Sequence, residues 1–373
     1  MIKRTFWENR INTAWQNVPL VWLCGVRRVG KTTLVKSFGE DKVQYLNCDL
    51  PIVADMLSDI ELFYKSCNKP IIVFDEIHQL NDPARILKIA ADQFRDLKII
   101  ATGSSTLSAT KKIKDTLTGR KRVIHLLPVL YHELDSFDNT SIFKRLLHGG
   151  LPSAMLNEKK DPEFYREWMD SFYSRDIQKL FAFRESHKFN LLMEYIFRQS
   201  GSLWDVSSAS KHLGISRQTI SSHIEAMEIT KAVTLLRPFH GGGKRELFKM
   251  PKVYAFDTGF ISFFRGWDPL RPDDYGILWE HIVLESLQAF FYNEPIYFWR
   301  DTSGHEIDFI RVRTRDEVDV YECKWNPNNF NSKSLTIFRS FYPKGNNYIV
   351  SPVTEQYKKH IKNFIINITY PLF

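Results

Sequence analysis

The fold of this chain is decided by a stretch near its amino terminus, Gly25-Val26-Arg27-Arg28-Val29-Gly30-Lys31-Thr32. An apolar run, Leu20 to Cys24, precedes this stretch, and a helix-compatible run, Thr33 to Phe38, follows it. Glycines at this spacing let successive amide N–H groups converge on phosphate oxygens, and the following helix presents the positive end of its dipole to the same anion. The stretch therefore predicts a strand, a phosphate-binding loop and a helix.

A second motif supplies the carboxylates that a nucleotide site needs. The apolar run Ile71 to Phe74 is typical of a buried parallel strand, and it ends in Asp75 and Glu76. We predict that Lys31 reaches the β and γ phosphates of ATP, that Thr32 and Asp75 hold Mg²⁺, and that Glu76 polarises the attacking water. The predicted nucleotide-binding residues are Gly25, Val26, Arg27, Arg28, Val29, Gly30, Lys31, Thr32, Thr33, Asp75 and Ser104.

Two further polar positions follow strand-like runs. Ser104 lies after the apolar run Leu97 to Ala101, where its hydroxyl either senses the γ-phosphate or caps a helix. Arg120 precedes the run Val123 to Leu127, where it either projects onto a neighbour's nucleotide as an arginine finger or lies in a solvated basic stretch. The first role for Arg120 requires a homo-oligomer.

Composition limits the class of protein. With 373 residues, of which 43% are hydrophobic, the chain is long enough for two to four domains. Its formal charge of +8 favours an anionic partner such as nucleic acid. The four cysteines lack the spacing of a metal site, and neither a signal core nor a bilayer-length apolar run is present. We therefore expect a cytoplasmic protein with reduced thiols and no membrane association.

Changes in pattern suggest the domain boundaries. Strand-like runs alternate with helical stretches as far as about Leu130, which predicts an α/β fold with a parallel sheet covered by helices. The pattern then becomes helical, and within it Arg175 and Asp176 form either a lid contact to nucleotide or a structural ion pair. The predicted domains are an ATPase core at 1–135, a helical lid at 136–200, a winged helix at 201–265 and an α/β nuclease-like domain at 266–373.

The winged-helix prediction begins with a helix, a turn containing Gly214 and a second helix capped by Ser216. On the outer face of the second helix we expect Arg217, Gln218, Ser221 and Ser222. Two strand-like runs follow, Val233 to Arg237 and Glu246 to Lys249. This order of elements is that of a winged helix.

The segment between these two runs resembles a wing. It contains three glycines next to Lys244 and Arg245, a combination that suits a loop lying along a phosphate backbone. The sequence thus predicts DNA as a partner. Winged helices also serve as protein-docking modules, so a protein partner is the alternative.

The carboxyl-terminal third contains a second group of candidate catalytic residues. A hairpin turning symmetrically about Arg315 would pair Asp308 with Glu322, and Lys324 would share their face. Two carboxylates at one level can hold Mg²⁺, and an ammonium beside them can orient the attacking water. Glu280, on a predicted helix, is a candidate fourth member and metal ligand.

This arrangement, D…ExK, matches the pattern of PD-(D/E)XK nucleases, although Ile307 replaces the usual proline before Asp308. An ExK triplet alone is common on surface strands. Glu306 opposite Lys324 would then form a cross-strand ion pair.

Several motifs in the same order resemble those of the prokaryotic AAA-type, archaeal-ATPase-like family, whose members carry a carboxyl-terminal domain of unknown function. The motifs are Val26 to Thr33, Phe74 to His78, Thr102 to Ser105, Leu117 to Arg120, Gly149 to Pro152, and Pro251 to Gly259. The resemblance implies an AAA+ fold, a winged helix and a carboxyl-terminal domain similar to restriction-type nucleases.

These observations lead to two hypotheses. The first is a Mg²⁺-dependent ATPase whose nucleotide state changes how the winged helix and the nuclease-like domain engage DNA. The second is a nucleotide-switched regulator, in defence or toxin control, whose nuclease fold is inactive and holds a protein partner.

Overall fold

The computed structural model describes residues 2–103, 115–138, 140–181, 183, 185–241, 250–292, 294–353, 355–361 and 363–372. Within them the strands form three sheets, of five, two and six strands, in that order along the chain. The predicted sensor Ser104 and the predicted wing residues Lys244 and Arg245 lie outside the described residues. The same holds for the predicted strand Glu246 to Lys249.

The amino-terminal part is a parallel five-stranded sheet with helices around it. Its strands are β1 (Leu20–Cys24), β2 (Val43–Asn47), β3 (Ile71–Asp75), β4 (Lys98–Thr102) and β5 (Lys121–His125). Its helices are α1 (Thr5–Trp15), α2 (Lys31–Lys36), α3 (Pro51–Met56), α4 (Ile60–Ser66) and α5 (Pro83–Gln93).

The strand order is β2-β3-β4-β1-β5, and every pairing in this sheet is parallel. All residues of β1 and β3 are buried, as expected for strands covered on both faces. Because parallel strands end at the same edge, the ends of β1, β4 and β3 lie side by side. The predicted parallel α/β sheet is confirmed, and its carboxyl edge is where the polar motifs meet.

The middle of the chain is mainly helical. A 3₁₀ helix spans Tyr131–Ser136, where the sequence predicted a helix, and a π-helical turn spans Tyr173–Ile177. The α-helices are α6 (Ile142–His148), α7 (Pro152–Leu156), α8 (Pro162–Phe172), α9 (Gln178–Phe181), α10 (Ser186–Arg198), α11 (Val206–Leu213), α12 (Arg217–Ile229) and α13 (Thr258–Phe264).

Helices α11 and α12 have the predicted helix–turn–helix order. Gly214 ends α11 in the left-handed conformation, and the Ser216 hydroxyl accepts a hydrogen bond from the Thr219 amide at the start of α12. The two-stranded sheet that follows pairs β6 (Val233–Leu236) with β7 (Lys252–Ala255) in antiparallel register.

The carboxyl-terminal part is a mixed six-stranded sheet. It comprises α14 (Pro272–Phe290), β8 (Ile296–Arg300), β9 (Glu306–Val312), β10 (Val318–Cys323), a 3₁₀ helix at Pro327–Asn329, α15 (Lys333–Phe341), β11 (Asn347–Val350), β12 (Tyr357–Ile361) and β13 (Phe364–Thr369). The strand order is β12-β13-β11-β10-β9-β8. Val318 pairs with Val312 and Tyr321 with Phe309, so the β9–β10 hairpin turns about Arg315 as predicted.

The three parts share one hydrophobic core. Trp7, Trp168 and Trp279, from the amino-terminal, middle and carboxyl-terminal parts, are fully buried in the same cluster. A buried ion pair, Arg145 Nη2 to Glu285 Oε2 at 2.5 Å, joins α6 to α14 inside it. Packing therefore connects the amino-terminal sheet to the rest of the chain.

Among the described residues none of the four cysteines forms a disulfide; Cys24 and Cys48 are buried, whereas Cys67 and Cys323 are half-buried. Among the described residues, none of the helices is long and apolar enough to cross a bilayer.

Candidate functional site

The loop between β1 and α2 depends on its glycines. Gly25 and Gly30 have φ angles of 151° and 97°, which side-chain-bearing residues rarely adopt. A Cβ atom on Gly25 would lie 2.5 Å from the Leu126 carbonyl oxygen. The loop can therefore take this path only with glycine at position 25.

Lys31 lies at the mouth of this loop. Its Nζ donates hydrogen bonds to the carbonyl oxygens of Gly25 at 2.9 Å and Val26 at 3.2 Å. Burial lowers the pKa of Lys31, and the nearby Glu76 carboxylate opposes that shift. An ammonium that donates to two carbonyl oxygens at this point is well placed to be neutralised by phosphate oxygens.

Asp75 accepts hydrogen bonds from three hydroxyl groups. Thr32 Oγ1 donates to Oδ2 at 2.8 Å and Tyr45 Oη donates to the same oxygen at 2.5 Å. Thr102 Oγ1 donates to Oδ1. The carboxylate is only 5% exposed, so these contacts fix its orientation. The Thr32 hydroxyl and the Asp75 carboxylate are hard oxygen donors of the kind that Mg²⁺ prefers, so the residues fit this ion.

Glu76 follows Asp75 in a left-handed conformation with φ of 55°, which is uncommon for glutamate. Its amide donates to Thr102 Oγ1 at 3.0 Å, and its Oε2 lies 3.1 Å from His78 Nδ1. The adjacent His78 ring lowers the pKa of Glu76, although burial opposes this effect. Glu76 is therefore a carboxylate at neutral pH and can accept a proton from water.

These groups line one cavity of about 540 Å³, which falls within the size range of small-molecule sites. The loop residues Gly25 to Leu34 form one wall, and Glu76 and Gly103 lie at its edge. Pro152, Phe172 and Asp176, from the middle part of the chain, also line it. The structure thus brings the predicted loop residues and Glu76 to one cavity, with Asp75 in contact with Thr32.

Arg27 and Arg28 face the middle part of the chain. Arg27 Nε donates to Asp176, and Arg28 Nη2 donates to Glu167 at 3.1 Å. The Arg28 guanidinium also lies 5.0 Å from the centre of the Phe164 ring. Asp176 therefore forms an ion pair, one of the two roles expected from the sequence, and its partner, Arg27, belongs to the phosphate-binding loop.

Sequence reasoning missed two of the groups around Asp75. Thr102 belongs to the Thr102-Gly103-Ser104-Ser105 motif, in which the sequence predicted a role for Ser104. The position of Thr102 at the end of β4, beside β3, is the signal that identifies it. Tyr45 on β2 pairs with Val73 two positions before Asp75, a register that cannot be read from the sequence.

Arg120 lies just before β5 and forms an ion pair within the chain. Its Nε donates to Asp92 Oδ1 at 2.5 Å, and both side chains are about one-third exposed. A role for Arg120 on a neighbouring nucleotide stays a prediction.

A second polar cluster lies on the six-stranded sheet. Lys324 Nζ donates to Glu322 at 2.9 Å and to Asp308 at 3.5 Å, and the Cys323 amide donates to Asp308 at 2.7 Å. Burial and the nearby Asp308 carboxylate raise the pKa of Glu322 to about 8. The structure thus brings the predicted D…ExK residues together.

The rest of this cluster differs from the prediction. Glu280 accepts hydrogen bonds from Lys252 at 3.2 Å and from Tyr254 at 2.5 Å. Lys252, which is only 4% exposed, also lies 2.6 Å from Glu306. Glu306 therefore pairs with Lys252, and with Arg300 at 2.9 Å, in place of Lys324.

Within the described part of the chain, no three His, Cys, Asp or Glu side chains form a group that could hold a metal ion. Lys252 and Lys324 lie against these carboxylates, Lys252 at 3.2 Å from Glu280 and Lys324 at 2.9 Å from Glu322. A metal-binding role for Glu280, Asp308 and Glu322 stays a prediction.

Comparison with known proteins agrees with the amino-terminal geometry. Residues 17–135 match the family model of the AAA domain. This part of the chain is an AAA-type domain. Residues 139–271 and 275–371 match models described as Domain of unknown function (DUF8612) and Domain of unknown function (DUF4143).

Similar proteins occur in bacteria and archaea. An uncharacterized protein of Mycobacterium tuberculosis is 26% identical over 318 residues, covering 83% of this chain and 71% of that protein. One of Methanocaldococcus jannaschii is 24% identical over 321 residues, covering 77% and 70%. Among solved structures, the Walker-type ATPase of Pyrococcus abyssi has a TM-score of 0.46 at 16% identity, covering 71% of this chain and 96% of its own.

Proposed function

We propose that the protein binds and hydrolyses ATP with Mg²⁺ and that its nucleotide state is coupled to DNA engagement by its carboxyl-terminal two-thirds. The observation that carries the ATPase proposal is the hydrogen bond from Thr32 to Asp75 beside Lys31 and Glu76. It brings the loop after β1 and the end of β3 to one point, where Mg²⁺ and a triphosphate would meet.

The proposed roles follow from the chemistry of each group. Lys31 neutralises the β and γ phosphates, and the backbone of Gly25 to Thr33 surrounds them. Thr32 and Asp75 hold Mg²⁺, which would neutralise charge on the phosphate oxygens when bound. Glu76 orients the attacking water and accepts its proton.

Turnover by the purified protein tests this assignment. Glu76→Gln keeps the shape of the side chain but removes its basicity, so we expect ATP binding to persist and hydrolysis to fall by roughly 10² to 10⁴-fold. Glu61→Gln is the matched control, because Glu61 forms an exposed ion pair with Lys65 in the same domain. This variant should leave hydrolysis unchanged. Equal turnover by wild type, Glu76→Gln and Lys31→Ala would refute the proposal.

The DNA component is supported by the exposed face of α12. Arg217, Gln218 and Ser221 are exposed there, next to the capping Ser216, and the chain has a net charge of +8. We expect duplex binding that weakens steeply with salt, because basic residues displace counterions from phosphates. The variant Arg217→Ala should weaken duplex binding, and so should the double variant Lys244→Ala with Arg245→Ala. Absent binding, or binding that does not depend on salt, would contradict a role in DNA engagement.

A second candidate function is favoured by one cluster of four ion pairs. Lys252 pairs with Glu280 and Glu306, and Lys324 pairs with Asp308 and Glu322, so the cluster resembles an internal ion-pair network. A nucleotide-switched regulator whose nuclease-like fold is inactive and holds a protein fits this arrangement.

Incubation of supercoiled and linear DNA with Mg²⁺ or Mn²⁺ separates the two candidates. Cleavage that disappears in Asp308→Ala and Lys324→Ala supports a nuclease. Intact DNA under all conditions, together with tight capture of a protein, supports the regulator.

A further inference from the structure

We infer that Asp176 competes with the nucleotide's phosphates for Arg27, so that nucleotide entry releases a contact between the phosphate-binding loop and the middle part of the chain. This inference rests on the proposed ATPase function. It gives a role to a carboxylate that the proposed chemistry does not use.

Asp176 is placed in the cavity by a local irregularity of the helix. It lies in the π-helical turn Tyr173–Ile177, between α8 and α9, and it lines the same cavity as Lys31 and Glu76. π-Helical turns are rare and often occur at functional sites. The Asp176 side chain is 20% exposed and accepts a hydrogen bond from Arg27 Nε.

Helix α8, which precedes this turn, contacts the phosphate-binding loop at two further points. Trp168 Nε1 donates to the Arg27 carbonyl at 3.0 Å, and Glu167 pairs with Arg28 at 3.1 Å. Arg28 itself has a left-handed backbone with φ of 61°. Helix α8 and the turn after it therefore contact the backbone and both arginines of the loop.

A bound triphosphate changes the electrostatics of this contact. Asp176 already has Glu76 as a negative neighbour, and burial raises the pKa of Asp176. Several phosphate charges near Lys31 would add repulsion in a partly buried site, where charges interact more strongly than in water. The Arg27 guanidinium matches the geometry of phosphate oxygens as well as that of a carboxylate.

Two anions would thus share one guanidinium, and the phosphates carry the greater charge. Interaction energy that the phosphates gain with Arg27 is lost from the contact between Arg27 and Asp176. By reciprocity, weakening the Asp176 contact strengthens nucleotide binding. The release would reach α8, which packs through Trp168 and Phe172 into the core shared by all three parts.

Calorimetric titration of Asp176→Asn tests the inference, because this change removes the charge and nearly preserves the shape. We expect ATP affinity to rise on the order of tenfold, ADP affinity to rise less, and adenosine binding to stay unchanged. Asp170→Asn makes the same charge change at an exposed position on α8 and is the matched control. A purely structural role for Asp176 would not produce a gain that follows the phosphate charge.

A double-mutant cycle with Arg27→Gln completes the test. If the two groups compete as inferred, Asp176→Asn has little further effect on ATP affinity once Arg27 is replaced. An unchanged or weaker ATP affinity in Asp176→Asn, a gain shared by Asp170→Asn, or a gain that persists without Arg27 would overturn the inference. Absence of ATP binding by the wild type would refute the proposed function itself, so the two failures are distinguishable.

Discussion

The Thr32 hydroxyl donates a hydrogen bond to Asp75 Oδ2 at 2.8 Å, across 43 positions of sequence. This contact joins the first residue after the loop lysine to the last residue of β3. Tyr45 and Thr102 also donate hydrogen bonds to Asp75, so its carboxylate is oriented without a bound ligand. The candidate Mg²⁺ site is therefore preorganised by the protein.

Tyr45→Phe should weaken the Mg²⁺-dependent part of nucleotide binding. Burial and the hydrogen bond to Asp75 raise the pKa of Tyr45, so its hydroxyl stays protonated and orients the carboxylate. Loss of such a supporting hydrogen bond lowers metal affinity by roughly 10 to 100-fold in other sites. We expect MgATP affinity to fall while ATP affinity in excess chelator is unchanged.

Tyr64→Phe is the matched control for this variant. Tyr64 is also buried, but its hydroxyl donates to the Ile86 carbonyl at 3.2 Å, away from Asp75. It should lower stability by about 1 kcal/mol without changing Mg²⁺ dependence. An identical Mg²⁺ titration for Tyr45→Phe and wild type would show that Tyr45 does not support the metal site.

Lys252→Met tests the second candidate function. Removing this ammonium leaves Glu280 and Glu306 without their shared cation, and breaking one buried pair costs about 3 to 5 kcal/mol. A divalent cation can then take its place among the carboxylates. We expect Mn²⁺ to raise the thermal midpoint of Lys252→Met but not that of the wild type.

Lys333→Met changes an exposed lysine in the same domain and should behave as the wild type. Strong Mn²⁺ stabilisation of the wild type that is lost in Asp308→Ala would instead indicate a working metal site in the carboxylate cluster.

The contact between the middle and carboxyl-terminal parts should weaken in acid through His281. Its Nδ1 donates to the Ile277 carbonyl at 2.7 Å, and its Nε2 accepts from the Ser200 hydroxyl at 2.6 Å, so the ring is held neutral. Burial lowers the pKa of His281 from 6.5 to about 3. Because the folded pKa is depressed, this stability is present above pH 6.5 and is lost as the pH falls towards 3, by at most about 1.4 kcal/mol per pH unit.

Denaturant unfolding at pH 7 and pH 5 measures this effect. His281→Gln should lose about 1 to 2 kcal/mol less than the wild type between these two pH values. His360→Gln, at an exposed position on β12, should follow the wild type. Parallel losses in all three proteins would assign the acid sensitivity to other groups.

The sequence predicted the elements whose causes are local. β1 and β3 were recognised because strands buried on both faces read as apolar runs, and the loop because its glycines occupy positions that other residues rarely take. The β9–β10 register was predictable because a hairpin fixes its pairing through the position of its turn.

Long-range pairings were not predictable in this way. Lys252 meets Glu280 and Glu306, and Asp176 meets Arg27, only because separate parts of the chain pack together. A single sequence contains each of these charges but not the packing that joins them. The alternative interpretation, an ion pair between Glu306 and Lys324, fails for this reason, since Lys252 approaches Glu306 from another sheet.

Calorimetric titration of MgATP into wild type and Lys31→Ala determines whether the loop after β1 and the end of β3 form one nucleoside triphosphate site. We predict saturable binding by the wild type, loss of that binding in Lys31→Ala, and unchanged binding in Lys42→Ala, which alters an exposed lysine of the same domain. No binding heat with wild type, or equal affinity in wild type and Lys31→Ala, would show that this site does not bind the nucleotide.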